Sequence, residues 1–590
     1  MVHPAAVRLG RCGVTPQTVV VSPRKVDENA ALLDSVEHLR RAADKVRLPL
    51  DLPGVEDARD ARRAMVQQLD DYLLPRLRAV DAPLLCVVGG STGAGKSTLV
   101  NSLIGEVVSK TGVLRPTTRS SVLVHHRDDE RWFTDTRILP GLARLTGAPT
   151  DRDDPSAVRL VASQSLPAGL ALLDAPDIDS VVRSNRKLSR QLLSAADLWL
   201  FVTTAARYAD AVPWDLLGQA ATRGTSVAIV LDRVPPEAME EIRLHLAQML
   251  GEHGLGTSPI FAIPEVSLDE QAMLPQRHIK RLTGWLNSLA GDATARSVVI
   301  RRTLAGALSS LSARSAQLNE AANAQVLARD HLREVARAPY ADALAGINEG
   351  MEDGSLLRGE VLARWQELVG TGEFLRQVEA SISKARDRLT SWITGKPVST
   401  EPLGEALQSG AAALITSHAG LAASAAARAW RSSPGGEVLV TEHPELSRPS
   451  TDFDERVERL LRDWQKEVLE LVREEAGHRR ATARYLAFGV NGLAVMLMLI
   501  AFSATAGLTG AEVAIAGGSA VLAQRLLEAV FGDEAVRSMA RKARAALLRR
   551  AEELLVVDRG RYDDVLDEVP LSRVAIEDVA AASAAVDQAS

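Results

Sequence analysis

Gly90-Ser91-Thr92-Gly93-Ala94-Gly95-Lys96-Ser97 follows the apolar run Leu84-Leu85-Cys86-Val87-Val88 and precedes Leu99, Val100, Leu103 and Ile104. The octet fits G-x-x-x-x-G-K-[ST], and its flanks supply a strand before it and a helical repeat after it. Small residues let the backbone curl so that successive N–H groups face a phosphate; Lys96 adds positive charge and Ser97 offers a hydroxyl to Mg²⁺. Gly90, Ser91, Thr92, Gly93, Ala94, Gly95, Lys96, Ser97 and Thr98 are therefore the expected nucleotide-contacting positions, with Lys96 also assigned a catalytic role.

Working outward, apolar runs recur at 121–125, 157–162, 169–173, 198–203, 226–231 and 259–263, with helical patterns between most of them. Such alternation predicts a mostly parallel sheet with helices on both faces, whose ligands bind beyond the carboxyl ends of the strands. A P-loop does not by itself separate GTPases from other NTPases, so the later segments decide. Thr117 and Thr118, in Leu114-Arg115-Pro116-Thr117-Thr118-Arg119, occupy the loop where a switch threonine completes a Mg²⁺ shell and senses the γ-phosphate. Thr118 is the slightly preferred candidate and the second assigned catalytic residue. Asp174, ending the run Leu170-Ala171-Leu172-Leu173, places a carboxylate where Mg²⁺ or its water needs an acceptor. The expected metal set is therefore Ser97, Asp174 and the threonine pair.

Two positions depart from a GTPase pattern. Asp177 stands where glycine usually presents its amide to the γ-phosphate, and its charge is awkward there. At the end of the run 226–231, Asp232-Arg233-Val234-Pro235 takes the place of Asn/Thr-Lys-x-Asp. Asp232 holds the first position and the stem of Arg233 can pack on a base, but Pro235 replaces the carboxylate that reads guanine. Guanine specificity is inferred here and not read.

The whole chain has 590 residues, 46% of them apolar and only 4% aromatic. That length requires several domains, and the abundance of Ala and Leu favours helix packed on helix outside the nucleotide domain. A formal net charge of −6 gives no global attraction to nucleic acid, which is not an expected partner. Cys12 and Cys86 suggest neither a disulfide scaffold nor a metal site. The predicted order is a disordered lead (1–27), a helical hairpin or neck (28–81), the P-loop domain (82–292) and a helical trunk (293–484). A hydrophobic hairpin (485–525), a returning basic helix (526–560) and an acidic, disordered tail (561–590) complete it. The fold class is thus an α/β P-loop NTPase domain joined to an extended all-α bundle with a C-terminal hydrophobic hairpin.

No charged residue interrupts 485–511, a stretch longer than the roughly 20 residues that cross a bilayer. Arg479, Arg480 and Arg484 precede it, and Arg525, Arg537, Arg541, Lys542 and Arg544 follow the weaker apolar run 513–523. With both ends basic, both feet of a hairpin belong on the cytoplasmic side. A buried hairpin inside the bundle is the competing reading, because the second leg is short and begins after Glu512.

The combination of P-loop, Pro116-Thr117-Thr118, Asp174-Ala175-Pro176, helices before the nucleotide domain and the apolar 485–523 tip resembles bacterial dynamin-like proteins. The resemblance covers most of the chain and implies a GTPase using GTP/GDP and Mg²⁺. It further implies homo- or hetero-oligomers through heads and trunk, a phospholipid membrane as partner, and a cell-membrane location with the GTPase domain cytoplasmic. Thr92-Gly93 replaces the Gln-Ser pair that dynamins commonly carry inside the P-loop, so the likeness is to architecture more than to catalytic detail. Two other readings are a membrane-associated P-loop ATPase and a nucleotide-binding membrane scaffold with little turnover. Leu173-Asp174-Ala175 lacks the acidic residue that an ABC ATPase places after its aspartate, and no Leu-Ser-Gly-Gly-Gln is present.

Overall fold

In the computed structural model, strand β1 (Leu84–Gly90) is buried along its whole length, as a central strand covered on both faces must be. The model describes residues 23–79, 81–109, 121–135, 137–147, 157–178, 183–352, 360–361, 363–364, 367, 401–478, 482–502, 523–524, 527–528 and 531–590. Thr117, Thr118, the expected disordered lead up to residue 22 and the tip 503–522 lie outside them.

The sheet has the order β3-β4-β2-β5-β1-β6-β7-β8. Its other strands are β2 (Ser121–His125), β3 (Ala143–Leu145), β4 (Ala157–Ala162), β5 (Leu170–Asp174), β6 (Leu198–Thr204), β7 (Ser226–Val234) and β8 (Ile260–Pro264). All neighbours pair in parallel except β2 with β5. The short edge strand β3 was not expected from the sequence, because its three residues are only half-buried or exposed and form no apolar run.

Alternation along β1 divides two cores. Leu85 and Val87 join Phe201, Trp199 and helices α5 (Arg183–Ser194), α6 (Ala211–Thr222) and α7 (Met239–Glu252) on one face. Leu84, Cys86 and Val88 join α4 (Lys96–Ile104) and α8 (Gln276–Gly291) on the other. Cys86 is fully buried, and that burial pushes its thiol pKa well up, so it is an inert core residue.

The chain divides into two units: residues 1–47, 56–323 and 572–590, and residues 48–55 and 324–571. In the first unit, α1 (Pro23–Lys45), α2 (Val55–Gln68), a π-helical turn (Leu69–Leu73) and α3 (Leu74–Arg78) precede the sheet. Arg76 on α3 is buried and forks onto Asp197, donating from Nε at 3.0 Å and from Nη2 at 2.5 Å. Asp197 also accepts from the Leu85 amide at 2.8 Å, so one carboxylate joins α3 to the start of β1 just before β6 begins.

The C-terminal tail corrects an expectation. Of residues 561–590, expected to be disordered from their acidic, Ala/Ser-rich composition, 561–568 close the helix Asp533–Glu568 and 573–589 form helix α15 (Arg573–Ala589), which packs on α1. Ile576, Val579, Ser583 and Val586 make the helical stripe that composition conceals, and the His38 imidazole bonds Asp578 at 2.7 Å.

The second unit is helical. It contains the part of α9 (Ala293–Glu352) from residue 324 onward, α10 (Glu401–Ser432), α11 (Gly436–Glu442), α12 (Phe453–His478), α13 (Thr482–Ala501) and α14 (Asp533–Glu568). Trp464, Trp430 and Tyr562 bury their rings and donate to backbone carbonyls, whereas the buried Tyr340 hydroxyl donates to Asp558 Oδ2 at 2.8 Å. Trp464 Nε1 donates to Ala543 O at 2.7 Å, Trp430 Nε1 to Leu332 O at 2.8 Å, and the Tyr562 hydroxyl to Leu446 O at 2.8 Å.

Within the apolar segment expected to form a hairpin, Leu493 to Phe502 are buried in this core, and α13 packs against α10, α12 and α14. Phe502 lies 5.4 Å, centroid to centroid, from Trp464. A helix apolar on every side is buried either in protein or in lipid, and these residues are buried in protein. Among the described residues, α10 is the helix long and apolar enough to cross a membrane, with mean hydropathy 1.2 over its most apolar window; 39% of that window is buried in the unit.

Asp71 on the π-helical turn is buried, and its Oδ2 has no hydrogen-bond partner. Burial pushes its pKa up to about 6, with the Asp70 charge adding to the shift and the Gln191 and Gln67 amides opposing it. The folded protein therefore holds a proton that the unfolded chain releases near pH 3.8. Stability should fall between about pH 4 and pH 6 and carry the full cost above that, about 3 kcal/mol. Asp71→Asn is expected to stabilise the protein by up to about that amount at pH 7 and to leave it unchanged near pH 3.5, as urea unfolding at the two pH values would measure.

Candidate nucleotide site

Close packing sets the P-loop at the end of β1. A Cβ on Gly90 would lie 2.0 Å from the Val202 carbonyl oxygen of β6, so only glycine permits this turn. Gly95, at φ +89°, caps α4 in the left-handed region, and a Cβ there would meet Asp232 Oδ2 at 2.8 Å. The first amides of α4, from Lys96 to Thr98, have no carbonyl partner within the helix and form an anion-attracting end.

Lys96 is buried, and its ammonium donates to the carbonyls of Gly90 and Ser91, each at 3.0 Å. It also pairs with Asp177 Oδ1 at 2.5 Å. The charge that looked awkward in the sequence is therefore compensated by the P-loop lysine. Ser91 is itself buried, and its hydroxyl has no hydrogen-bond partner.

Asp174 ends β5 and is fully buried. Its Oδ2 accepts from the Ser97 hydroxyl and from the Ser109 hydroxyl, both at 2.6 Å, whereas Oδ1 is buried without a partner. Burial raises the Asp174 pKa; the Ser109 and Ser97 hydroxyls and the Lys96 charge oppose the rise, and Asp177 adds to it. A dry carboxylate with one unused oxygen beside a serine hydroxyl suits a hard cation, so these residues fit Mg²⁺. Among the described residues there is no group of three His, Cys, Asp or Glu that could hold a metal. That is compatible with Mg²⁺, which takes one or two carboxylates together with substrate phosphates and water.

Ser109 was not among the expected site residues. It lies beyond the motif, and the side chain of Asn101 puts it in place: Asn101 Oδ1 accepts from the amides of Val108 and Ser109, and Nδ2 donates to Ser109 O at 2.8 Å. Asn101 falls in the polar gap between Val100 and Leu103 of the α4 repeat, so no local pattern marks it for this role.

Asp232 and Arg233 at the end of β7 also reach the P-loop. Asp232 is buried and accepts the Arg233 amide at 2.8 Å. Burial raises its pKa, the Arg233 amide and charge oppose the rise, and Glu265 after β8 adds to it. Arg233 adopts φ +54°, and its guanidinium donates to Gly93 O, so in this structure it braces the loop as well as offering a stem for a base. Arg207, which the sequence reading passed over, braces the neighbouring carbonyl, Thr92 O, at 2.9 Å. The structure thus brings together Gly90 to Thr98, Asp174, Asp177, Asp232 and Arg233.

Two single substitutions separate these roles. Ser109→Ala removes one donor from Asp174 and should weaken Mg²⁺-dependent nucleotide binding about tenfold, since hydrogen bonds to a charged group contribute about 1.5–3 kcal/mol. Asp177→Ala releases Lys96 from its counter-charge and should tighten nucleotide binding. Fluorescent-nucleotide titration with and without Mg²⁺ reads both.

Residues 86–233 match the model of the dynamin family. No curated protein matches the sequence. Two solved structures are each described as an oligomerised bacterial dynamin pair that provides a mechanism for the long-range sensing and tethering of membranes. One is 10% identical, with 90% of this chain and 95% of that chain aligned at a TM-score of 0.42; the other is 9% identical, over 97% and 96%, at 0.39. A third, described as the LeoA bacterial dynamin GTPase from ETEC, is 11% identical over 93% and 99% at 0.24. The dynamin-family match spans the P-loop together with Asp174, Asp177, Asp232 and Arg233, so residues 86–233 of this chain resemble a dynamin-family nucleotide-binding domain.

Proposed function

We propose that the chain is a dynamin-like GTPase that binds and hydrolyses GTP with Mg²⁺ and couples this to membrane binding, remodelling or assembly. The observation that carries the nucleotide part is the buried, unpartnered Oδ1 of Asp174, whose other oxygen holds the Ser97 hydroxyl at the mouth of the P-loop. Ser97 and Asp174 would hold the metal, with Thr117 or Thr118 as further candidates. The ion would supply charge neutralisation on the phosphates. The chain's own residues do the rest. The first amides of α4 bind the phosphates, Lys96 supplies positive charge, and Arg207 and Arg233 keep the loop in shape from behind.

A nucleotide-binding scaffold with little turnover is the second reading, favoured by the Lys96–Asp177 pair, because a carboxylate beside the lysine competes with phosphate oxygens for its charge. Oligomerisation through heads and trunk, and a location at the cell membrane with the nucleotide domain cytoplasmic, belong to the same proposal. Membrane insertion of the apolar segment would require Leu493 to Phe502 to leave the core of the second unit, or would fall to the tip beyond them.

Competitive titration of GTP and ATP on one protein should show a preference for GTP; a clear ATP preference would move the chain to the ATPase reading. Lys96→Ala should abolish binding of either nucleotide. For the membrane part, flotation with anionic liposomes should retain the full chain and lose a variant lacking residues 485–523, provided circular dichroism shows that variant to be folded. Unchanged flotation would make the segment a core element only.

A further inference from the structure

A second cluster of charge lies in the first unit, away from the P-loop. A cavity of about 1240 Å³ is walled by α2, α5, α6 and α9, with Arg190, Arg223 and Arg314 on three of those walls. Gly224, at φ +67°, touches Gly306 of α9 so closely that a Cβ would meet its Cα at 2.5 Å. This contact clamps the end of α6, and with it Arg223, against the helix that carries Arg314.

No carboxylate pairs with any of the three guanidinium groups among the described residues. Arg314 donates to the neutral Gln68 Oε1, Asp60 on the same wall is taken by Arg63, and Asp215 pairs with none of them. Arg223 and Arg314 are half-buried and close enough to repel, and burial together with the Arg223 charge pushes the Arg314 pKa down to about 10. Both remain protonated at neutral pH. The carboxyl end of α6, which Arg223 caps, offers roughly half a negative charge and so offsets only part of this excess. His253 and Trp214, with ring centroids 4.6 Å apart, complete the wall. Three guanidinium groups lining one cavity without a carboxylate partner among the described residues, two of them close enough to repel, suit recognition of phosphate.

We propose that this cavity binds a phosphate-bearing anion through Arg190, Arg223 and Arg314, at a site separate from the P-loop. A lipid headgroup and a soluble polyphosphate present the same chemistry to it. The test is isothermal titration of the full-length chain with pyrophosphate, comparing wild type, Arg223→Gln, Arg190→Gln and Lys96→Ala. Two binding components are expected: Lys96→Ala should remove one, and each arginine variant should weaken the other at least about tenfold while leaving the first intact. This separates failure of the cavity site from failure of the P-loop assignment. Flotation with phosphatidylglycerol against phosphatidylcholine vesicles identifies the source. Loss of phosphatidylglycerol binding in the arginine variants assigns a lipid headgroup, and unchanged flotation with weakened pyrophosphate binding assigns a soluble ligand. Arg190 is exposed, so its variant should fold normally, and Arg223→Gln should keep or raise the melting temperature by relieving repulsion. Pyrophosphate affinity within twofold of wild type in both folded arginine variants would overturn the proposal, as would a melting temperature lowered in both.

Discussion

Asp197 makes the contact on which the nucleotide domain depends. Its carboxylate is buried at the start of β6, accepts the Leu85 amide at the start of β1, and is held by both sides of the Arg76 fork. Its carbonyl accepts the Thr303 hydroxyl of α9 at 2.9 Å. Burial raises the Asp197 pKa despite Arg76, so the pair lies near the balance between desolvation and attraction. Its worth is positional: it joins α3 to two strands that pair side by side from Cys86–Leu198 to Gly90–Val202. Gly90 meets Val202 at the other end of that ladder, and the P-loop begins there.

The site at that end is built from buried charges answered by short polar contacts. Lys96, Asp174 and Asp232 would each be costly in a dry environment on their own. Lys96 has two carbonyls and Asp177, and Asp174 has two hydroxyls. Asp232 has the following amide. Oδ1 of Asp174 remains without a partner, and the proposed cation site rests on this asymmetry within one carboxylate. Arg207 and Arg233 hold the loop through the carbonyls of Thr92 and Gly93, and the Ala94 amide closes it on Ser91 O at 3.2 Å.

Much of the fold was legible because it rests on local pattern. The apolar runs around 84–88, 170–173 and 226–231 are strands because continuous burial on both faces demands them, and the helices between follow from parallel crossovers. The misses also have physical causes. β3 is too short and too exposed to leave a pattern, and α15 is stabilised by packing on α1, which composition cannot show. The apolar stretch from Leu493 to Phe502 satisfies the criteria for lipid and for protein core equally well, and only the helices around it show which one covers it here.

The sequence alone determined the P-loop, because its pattern is written in consecutive residues: Gly90 and Gly95 where a Cβ would collide, then Lys96 and Ser97 opening α4. It also determined Asp174, since a carboxylate ending a buried strand in such a sheet must stand near that loop. What the tertiary structure decided was every contact that joins distant segments. Ser109 reaches Asp174 through Asn101, Arg207 and Arg233 brace the loop, Asp177 pairs with Lys96, and Arg223 and Arg314 converge across a glycine contact. Pairing of groups tens or hundreds of residues apart depends on packing geometry, and no local periodicity encodes it.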